Sequence, residues 1–244
     1  MIGLTGASGY LAKHLATNEY LKINRENIEY LDLSNIDTVY HLGGMSSSGK
    51  NPLDYYENIS YTHKLISKLN KKCKIVFTST VKIHDSQNEN PSDGYSMSKL
   101  ICEKLIYLKH LQDNNNYYVF RMPNIVSEDI SYGFLYELTN QIKTGHVKYV
   151  KRAYRPFIDI EDCIKAFSFD LPNGVHILGN NSILIEEVLD IASQYAIFER
   201  EELSIEPIRI LADNSILQYG WKPKSSEQVL HNYFSKVFAA KTLR

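Results

Sequence analysis

The first half of the chain alternates short apolar runs with longer stretches in which apolar residues recur at helical spacing. Such alternation marks an α/β fold, a doubly wound parallel sheet wrapped by helices. Strands are expected at Met1–Thr5, Glu19–Asn24, Thr38–Leu42, Lys74–Thr78 and Tyr117–Arg121, and helices at Gly9–Thr17, Pro52–Asn70 and Gly94–Leu111. By residue type, Asn27–Leu33 would also suit a strand. Parallel to Thr38–Leu42, however, it would leave about four residues for a crossover that needs roughly a dozen. A short helix is therefore expected there, leaving the sheet poor in strands on that side. After Pro123 the pattern loosens. Helices are expected at Glu137–Thr144, Glu161–Phe169, Leu184–Tyr195 and Ser226–Val237, with short strands around Lys148–Val150, Val175–Leu178 and Ile205–Ile210.

Composition narrows the class. The 244 residues carry a net charge of −1 and are 43% hydrophobic, which suits one large domain with a small appended lobe. A near-neutral balance gives no sign of nucleic acid or a membrane surface as partner. The longest apolar runs are strand-sized, and Met1 leads straight into a strand-like segment, so neither a signal peptide nor a membrane span is expected. Cys73, Cys102 and Cys163 are odd in number, widely spaced and set among apolar neighbours. They read as buried free thiols in a reducing cytoplasm. The histidines show no metal-ligand spacing and no metal is expected; His41, in a strand, reads as a packed core residue.

Candidate chemistry begins at the first strand end, in Thr5-Gly6-Ala7-Ser8-Gly9-Tyr10-Leu11-Ala12. Gly6 ends the strand and Gly9 opens a helix, so bare backbone can turn tightly and approach a dinucleotide pyrophosphate. Ala12, at the third glycine position, is small enough for close helix–strand packing. No acidic residue closes the second strand; Asn24-Arg25 stands where an Asp or Glu would bind a ribose 2′-hydroxyl. A basic residue there would receive a 2′-phosphate, so NADP(H) is favoured over NAD(H). The alternative for Arg25 is a solvated loop residue.

The second element is Tyr95-Ser96-Met97-Ser98-Lys99. A phenol with a pKa of about 10 is a poor proton donor and acceptor at neutral pH. An ammonium nearby stabilises the phenolate, and i,i+4 spacing puts both groups on one helix face. Thr80, at the end of the preceding strand, could share the proton and hold a carbonyl oxygen. Such spacing also occurs by chance as a surface pair; its position after Val-Phe-Thr-Ser-Thr, in a chain that opens with a dinucleotide turn, favours catalysis.

These residues, in this order, resemble the extended short-chain dehydrogenases/reductases of the nucleotide-sugar epimerase/dehydratase/reductase type, with a Rossmann-like fold. The likeness runs through Asp37-Thr38-Val39-Tyr40-His41-Leu42-Gly43-Gly44, Asn58, Val76–Thr80 and Arg121-Met122-Pro123-Asn124, then Arg155–Asp162, Ala212-Asp213 and Gly220-Trp221-Lys222-Pro223. The resemblance implies Tyr95 as acid–base residue, Lys99 as its modulator and a ribose contact, and Thr80 as the hydroxyl that orients substrate. It puts Gly6, Ser8, Gly9, Tyr10, Leu11, Arg25, Leu42, Gly43, Gly44, Asn58, Thr78, Met122 and Pro123 along the cofactor. Asn124 and Arg155 would reach a nucleotide-diphosphate sugar, Arg155 at the diphosphate; solvated-surface and turn-capping roles are the alternatives. Residues 1–123 would form the NAD(P)-binding core and 124–244 mainly a substrate-binding lobe, with segments returning to the core. A homodimer through Pro52–Asn70 and Gly94–Leu111 is a further implication, with polysaccharide building as the natural context.

Departures from the pattern refine this. Sugar dehydratases of the family carry Asp-Glu directly after the threonine, whereas Val81 and Lys82 follow Thr80 here. The later phosphate-binding arginine motif is not clear, Arg209 being the nearest stand-in. Three functions stay open: an NADPH-dependent reductase of a nucleotide-activated 4-keto-6-deoxysugar, favoured; an NAD-dependent nucleotide-sugar 4-epimerase; and a non-catalytic dinucleotide-binding regulator.

Overall fold

The opening apolar run becomes an interior strand. In a computed structural model, which describes residues 1–15, 19–45, 51, 55–85, 88–91, 93–210 and 215–239, Ile2–Thr5 (β1) leads into Tyr10–His14 (α1) and Tyr20–Ile23 (β2). Thr38–His41 (β3), Tyr56–Lys68 (α2) and Lys74–Thr80 (β4) follow. A two-residue-armed hairpin, His84–Asp85 (β5) with Asn88–Glu89 (β6), precedes Gly94–Asp113 (α3) and Tyr117–Met122 (β7). Then come Asn124–Val126 (β8), Phe134–Thr144 (α4), His146–Val150 (β9), Tyr154–Asp159 (β10) and Ile160–Ala166 (α5). Gly174–Ile177 (β11), Ser182–Leu184 (β12), Ile185–Ser193 (α6), Glu199–Leu203 (β13) and Ser226–Ala239 (α7) complete the chain.

Six strands form one sheet in the order β11-β7-β4-β3-β1-β2, with β2, β1, β3 and β4 paired in parallel. The chain leaves β1 for β2 on one side, then returns to lay β3 on the other. That reversal opens a crevice beyond the carboxyl ends of β1 and β3, where ligands bind in open α/β sheets. The architecture is Rossmann-like, as expected.

The chain divides by contacts into two units. One comprises Met1–Arg121 with Asp170–His176, the other Met122–Phe169 with Ile177–Arg244. In the first, the sheet packs Ile23, Val39, Ile75, Phe77 and Val119 against Leu65 and Ile106 from the helices. In the second, Phe157, Leu189, Leu230 and Phe234 anchor a separate core. All three cysteines are buried and free.

Two expectations need correction. Asn27–Leu33 is not a helix. It makes hydrogen-bonded turns, Ile28 N–H to the Asn24 carbonyl and both Tyr30 and Leu31 N–H to the Asn27 carbonyl. Its apolar residues Ile28 and Leu33 are buried in the core without regular structure around them, so packing set the periodicity. β2 remains the sheet edge on that side. Ile205–Ile210 is not a strand either; only Arg209 forms an isolated bridge, to Tyr154. Ile205 and Ile208 are exposed and only Ile210 of its three isoleucines is buried, so the segment has no apolar face to hold it in a sheet. Ala212-Asp213 lies outside the described residues, as do Thr17 and Pro52 at two expected helix ends.

Candidate active site

At the crevice two glycine turns meet backbone to backbone. Thr5 and His41 are register partners across β1 and β3, so the turns that follow them emerge side by side. Gly6 has φ +70°, and a Cβ built on it would fall 2.7 Å from the Gly43 nitrogen. A Cβ on Gly43 would in turn fall 3.0 Å from the Gly6 nitrogen. Only glycine satisfies both the backbone angle and the approach at Gly6. Gly9 N–H donates to the Gly6 carbonyl at 2.8 Å and fixes the turn. Ser8 and Gly9 are exposed there, while Tyr10, Leu11 and Leu42 are half-buried. Gly44, at φ +154°, lies over the next element: its missing Cβ would be 3.3 Å from Lys99 Nζ and 3.4 Å from Asn58 Oδ1.

Tyr95 and Lys99 are set by the way α3 begins. Asp93 Oδ1 accepts the Ser96 N–H at 2.7 Å and Ser96 Oγ accepts the Asp93 N–H at 3.3 Å, a reciprocal cap that starts the helix at Gly94. Tyr95 therefore stands in the first turn, half-buried with its ring edge-on to Tyr55, and Lys99 follows one turn later, buried. Lys99 Nζ donates to the Thr78 carbonyl at 2.9 Å and sits 4.8 Å from the Phe77 ring centroid. Burial lowers the Lys99 pKa from its ordinary value, opposed by Cys102 and Glu103. Thr80, buried at the end of β4, accepts the Lys82 N–H at 3.3 Å, and no described residue takes the hydroxyl's own proton. That proton is available to an oxygen placed above it.

Asn58 joins these parts. Its Oδ1 accepts the Met45 N–H at 2.7 Å, and its Nδ2 donates to Ser98 Oγ at 3.2 Å. Ser98 passes its own proton to the Tyr95 carbonyl at 2.8 Å. Gly6, Gly43, Gly44, Asn58, Thr78 and Lys99 are thus brought together. Ser98 and the Asp93–Ser96 cap were missed by the sequence reading, although Asp-x-x-Ser before a helix is a legible capping pattern. At the end of β2, Asn24 Oδ1 is occupied by the N–H groups of Glu26 and Asn27, and Arg25 is exposed.

Met122, Pro123, Asn124 and Arg155 belong to the second unit. Met122 and Pro123 are buried at the end of β7. Asn124 Nδ2 donates to the Pro156 carbonyl at 3.0 Å, tying β8 to β10. Arg155 lies over the Phe134 ring at 4.6 Å, its Nε buried without a partner among the described residues, in a cavity of about 190 Å³ that Lys148 and Tyr149 also line. Burial lowers its pKa from the ordinary value. The Arg209 backbone bridges to Tyr154, one residue before Arg155.

Comparison with known proteins decides the family. The profile described as "NAD dependent epimerase/dehydratase family" matches residues 19–185. The chain belongs to that family. No curated protein matches it in sequence. Among solved structures it is similar to RMD from Pseudomonas aeruginosa, complexed with NADPH, at 17% identity and TM-score 0.78 over 98% of this chain and 99% of that one. It is also similar to UDP-N-acetylglucosamine 4-epimerase from Methanobrevibacter ruminantium M1, in complex with UDP-N-acetylmuramic acid, at 22% identity and TM-score 0.76 over 98% of both chains. A monomeric L-threonine 3-dehydrogenase from a metagenome shares 18% identity, with TM-score 0.73 over 97% of this chain and 99% of that one. At such identities the likeness speaks for the fold.

As a member of this family the chain is an NAD(P)-dependent enzyme of the extended short-chain dehydrogenase type, and its cofactor is a nicotinamide dinucleotide. The residues present fit that group: the Gly6–Gly43 approach is a bare-backbone cradle that any Cβ would fill.

Proposed function

We propose that the protein is an NADPH-dependent reductase of a nucleotide-activated 4-keto-6-deoxysugar. What supports this reading is Lys99, held on the Thr78 carbonyl and next to Gly44, with Tyr95 one turn before it on α3, Thr80 at the end of β4, and Lys82 rather than a carboxylate two residues after Thr80. The bound dinucleotide would supply the hydride for the keto carbon. Thr80 and Tyr95 would donate hydrogen bonds to the keto oxygen, and Tyr95 would then give its proton to the alkoxide. Lys99 would stabilise the resulting phenolate, which regains a proton from solvent. Val81 and Lys82 offer no acid–base pair for losing water, which speaks against a dehydratase. Asn124 would contact the sugar and Arg155 the diphosphate; a half-buried arginine whose buried Nε has no partner among the described residues suits an anionic ligand. The test is a screen of nucleotide-linked keto sugars for NADPH oxidation. A chain that instead retains NAD tightly through purification, and interconverts 4-epimers, would overturn reduction in favour of epimerisation.

Preference for the phosphorylated cofactor rests on Arg25, exposed after β2, with Asn24 rather than an acidic residue closing the strand and Glu26 following Arg25 in the turn. Arg25→Ala is expected to weaken NADPH about 10- to 100-fold and leave NADH nearly unchanged, as loss of one charge-assisted contact would. Equal effects on both dinucleotides, read by nicotinamide fluorescence titration, would remove Arg25 from that role.

A homodimer through α2 and α3 is also part of this proposal. On α3 the exposed side chains Met97, Ile101, Leu108 and Leu111 recur at helical spacing on one face, with Lys104, paired to Glu89, between Ile101 and Leu108, and α2, packed against α3, adds exposed Tyr56. Leu108→Lys should convert a dimer to a monomer in light scattering after size exclusion. A wild-type monomer would refute the arrangement. Among the described residues no helix is long and apolar enough to cross a membrane; action in the cytoplasm, with sugar activation for polysaccharide building, completes the reading.

A further inference from the structure

Beneath the crevice a chain of hydrogen bonds links the second glycine turn to Asn58 through His41. Gly43 N–H donates to Thr5 Oγ1 at 3.0 Å, and Thr5 Oγ1 lies 2.7 Å from His41 Nδ1. His41 Nε2 lies 2.9 Å from Thr62 Oγ1, and that hydroxyl donates to the Asn58 carbonyl at 2.7 Å. Thr5, His41, Thr62 and Asn58 are all buried.

A hydroxyl has one proton to give. With the Thr62 proton on the Asn58 carbonyl, Thr62 Oγ1 must accept from His41, which places the imidazole proton on Nε2. Nδ1 is then an acceptor and takes the Thr5 hydroxyl proton. This leaves a lone pair of Thr5 Oγ1 for the Gly43 amide. Thr62 Oγ1 can also donate to Cys102 Sγ at 3.2 Å while the thiol donates to the Asn58 carbonyl at 3.4 Å; with its proton on either acceptor, Thr62 still accepts from His41. Reversing the ring would set an imidazole N–H against Thr5 Oγ1 and leave the Thr5 proton without that acceptor.

We propose that His41 is a positioning residue for dinucleotide binding: as the neutral Nε2–H tautomer it orients the Thr5 hydroxyl, which holds the Gly43 amide and so presses the second glycine turn against the first. The inference rests on the dinucleotide-binding reading above and adds to it a part for a residue that touches no ligand. Asn58 extends the device, because its carbonyl ends the relay while its side chain spans Met45 and Ser98, next to the Tyr95 carbonyl. One network thus serves the cofactor turns and the first turn of α3.

The surroundings favour neutrality. Buried Lys99 acts on the ring through its charge, the Tyr61 and Phe77 rings pack against it at 5.7 and 5.2 Å between centroids, and the Cys102 thiol lies on the far side of Thr62. Burial, helped by Lys99, lowers the His41 pKa to about 3.

The proposal is tested in the wild-type chain by long-range ¹H–¹⁵N NMR of the histidine rings. His41 should show Nε2–H with bare Nδ1 and should not titrate from about pH 5 to 8. The second arm is NADPH affinity. Thr5→Val should weaken it about tenfold or more, and Thr5→Ser, which keeps the hydroxyl, should restore it to within about twofold. An Nδ1–H tautomer, titration in that range, or a Thr5→Val protein that binds NADPH like wild type would overturn the role. Should Thr5→Val fail to fold, the wild-type tautomer decides. Failure of wild type itself to bind any dinucleotide would strike the functional reading instead, and is distinguishable because the ring measurement needs no ligand.

Discussion

Tyr95→Phe should reduce NADPH oxidation with a keto sugar about 10²- to 10⁴-fold, the range that a positioned general acid supplies. The aromatic ring survives the change and with it the edge-on contact to Tyr55, while the Asp93–Ser96 cap still starts the helix one residue earlier. Only the hydroxyl is lost. Dinucleotide affinity and melting temperature should therefore stay close to wild type while kcat falls, a pattern that separates chemistry from folding. Steady-state rates at saturating cofactor check this, and an undiminished rate would remove Tyr95 from the proposed mechanism.

Glu103→Ala should cost about 3–5 kcal/mol of stability, because it strips the partner from a buried guanidinium. Arg121 and Glu103 have side chains only 3% and 2% exposed. Arg121 Nε donates to Glu103 Oε1 at 3.0 Å and Nη2 to Oε2 at 2.6 Å, a two-pronged pairing between β7 and α3. Glu89 on β6 also meets Nη2 at 2.5 Å, but its side chain is 37% exposed and can compensate only in part. Glu89→Gln should accordingly cost about 1 kcal/mol or less. Urea unfolding of both variants provides the comparison, and a small loss for Glu103→Ala would show that water enters to solvate Arg121.

What could be read from residue order was what local chemistry dictates. β4, α2 and α3 are long, β1 and β3 are short apolar runs that lead into glycine turns, and Gly6 and the Tyr95–Lys99 spacing carry their reasons within a few residues. The misses share one cause, dependence on distant partners. Glu199–Leu203, written Glu-Arg-Glu-Glu-Leu, has poor strand character, yet it pairs along β9, where His146 and Lys148 face Glu201. The short strands β8, β10 and β12 exist through mutual pairing. Asn27–Leu33 looked regular because its apolar residues fill the core, yet it folds as hydrogen-bonded turns. His41 read correctly as a packed residue. Its partners, 36 positions before and 21 after, could not be found without the fold.

Lys99 lies out of reach of bulk water. Dissolved ions dampen fields between charges they can surround, over about 8 Å at physiological strength, and have little purchase on one enclosed by protein. The influence of this ammonium on its neighbours is consequently a property of the folded interior, and brine or dilute medium should leave it nearly the same.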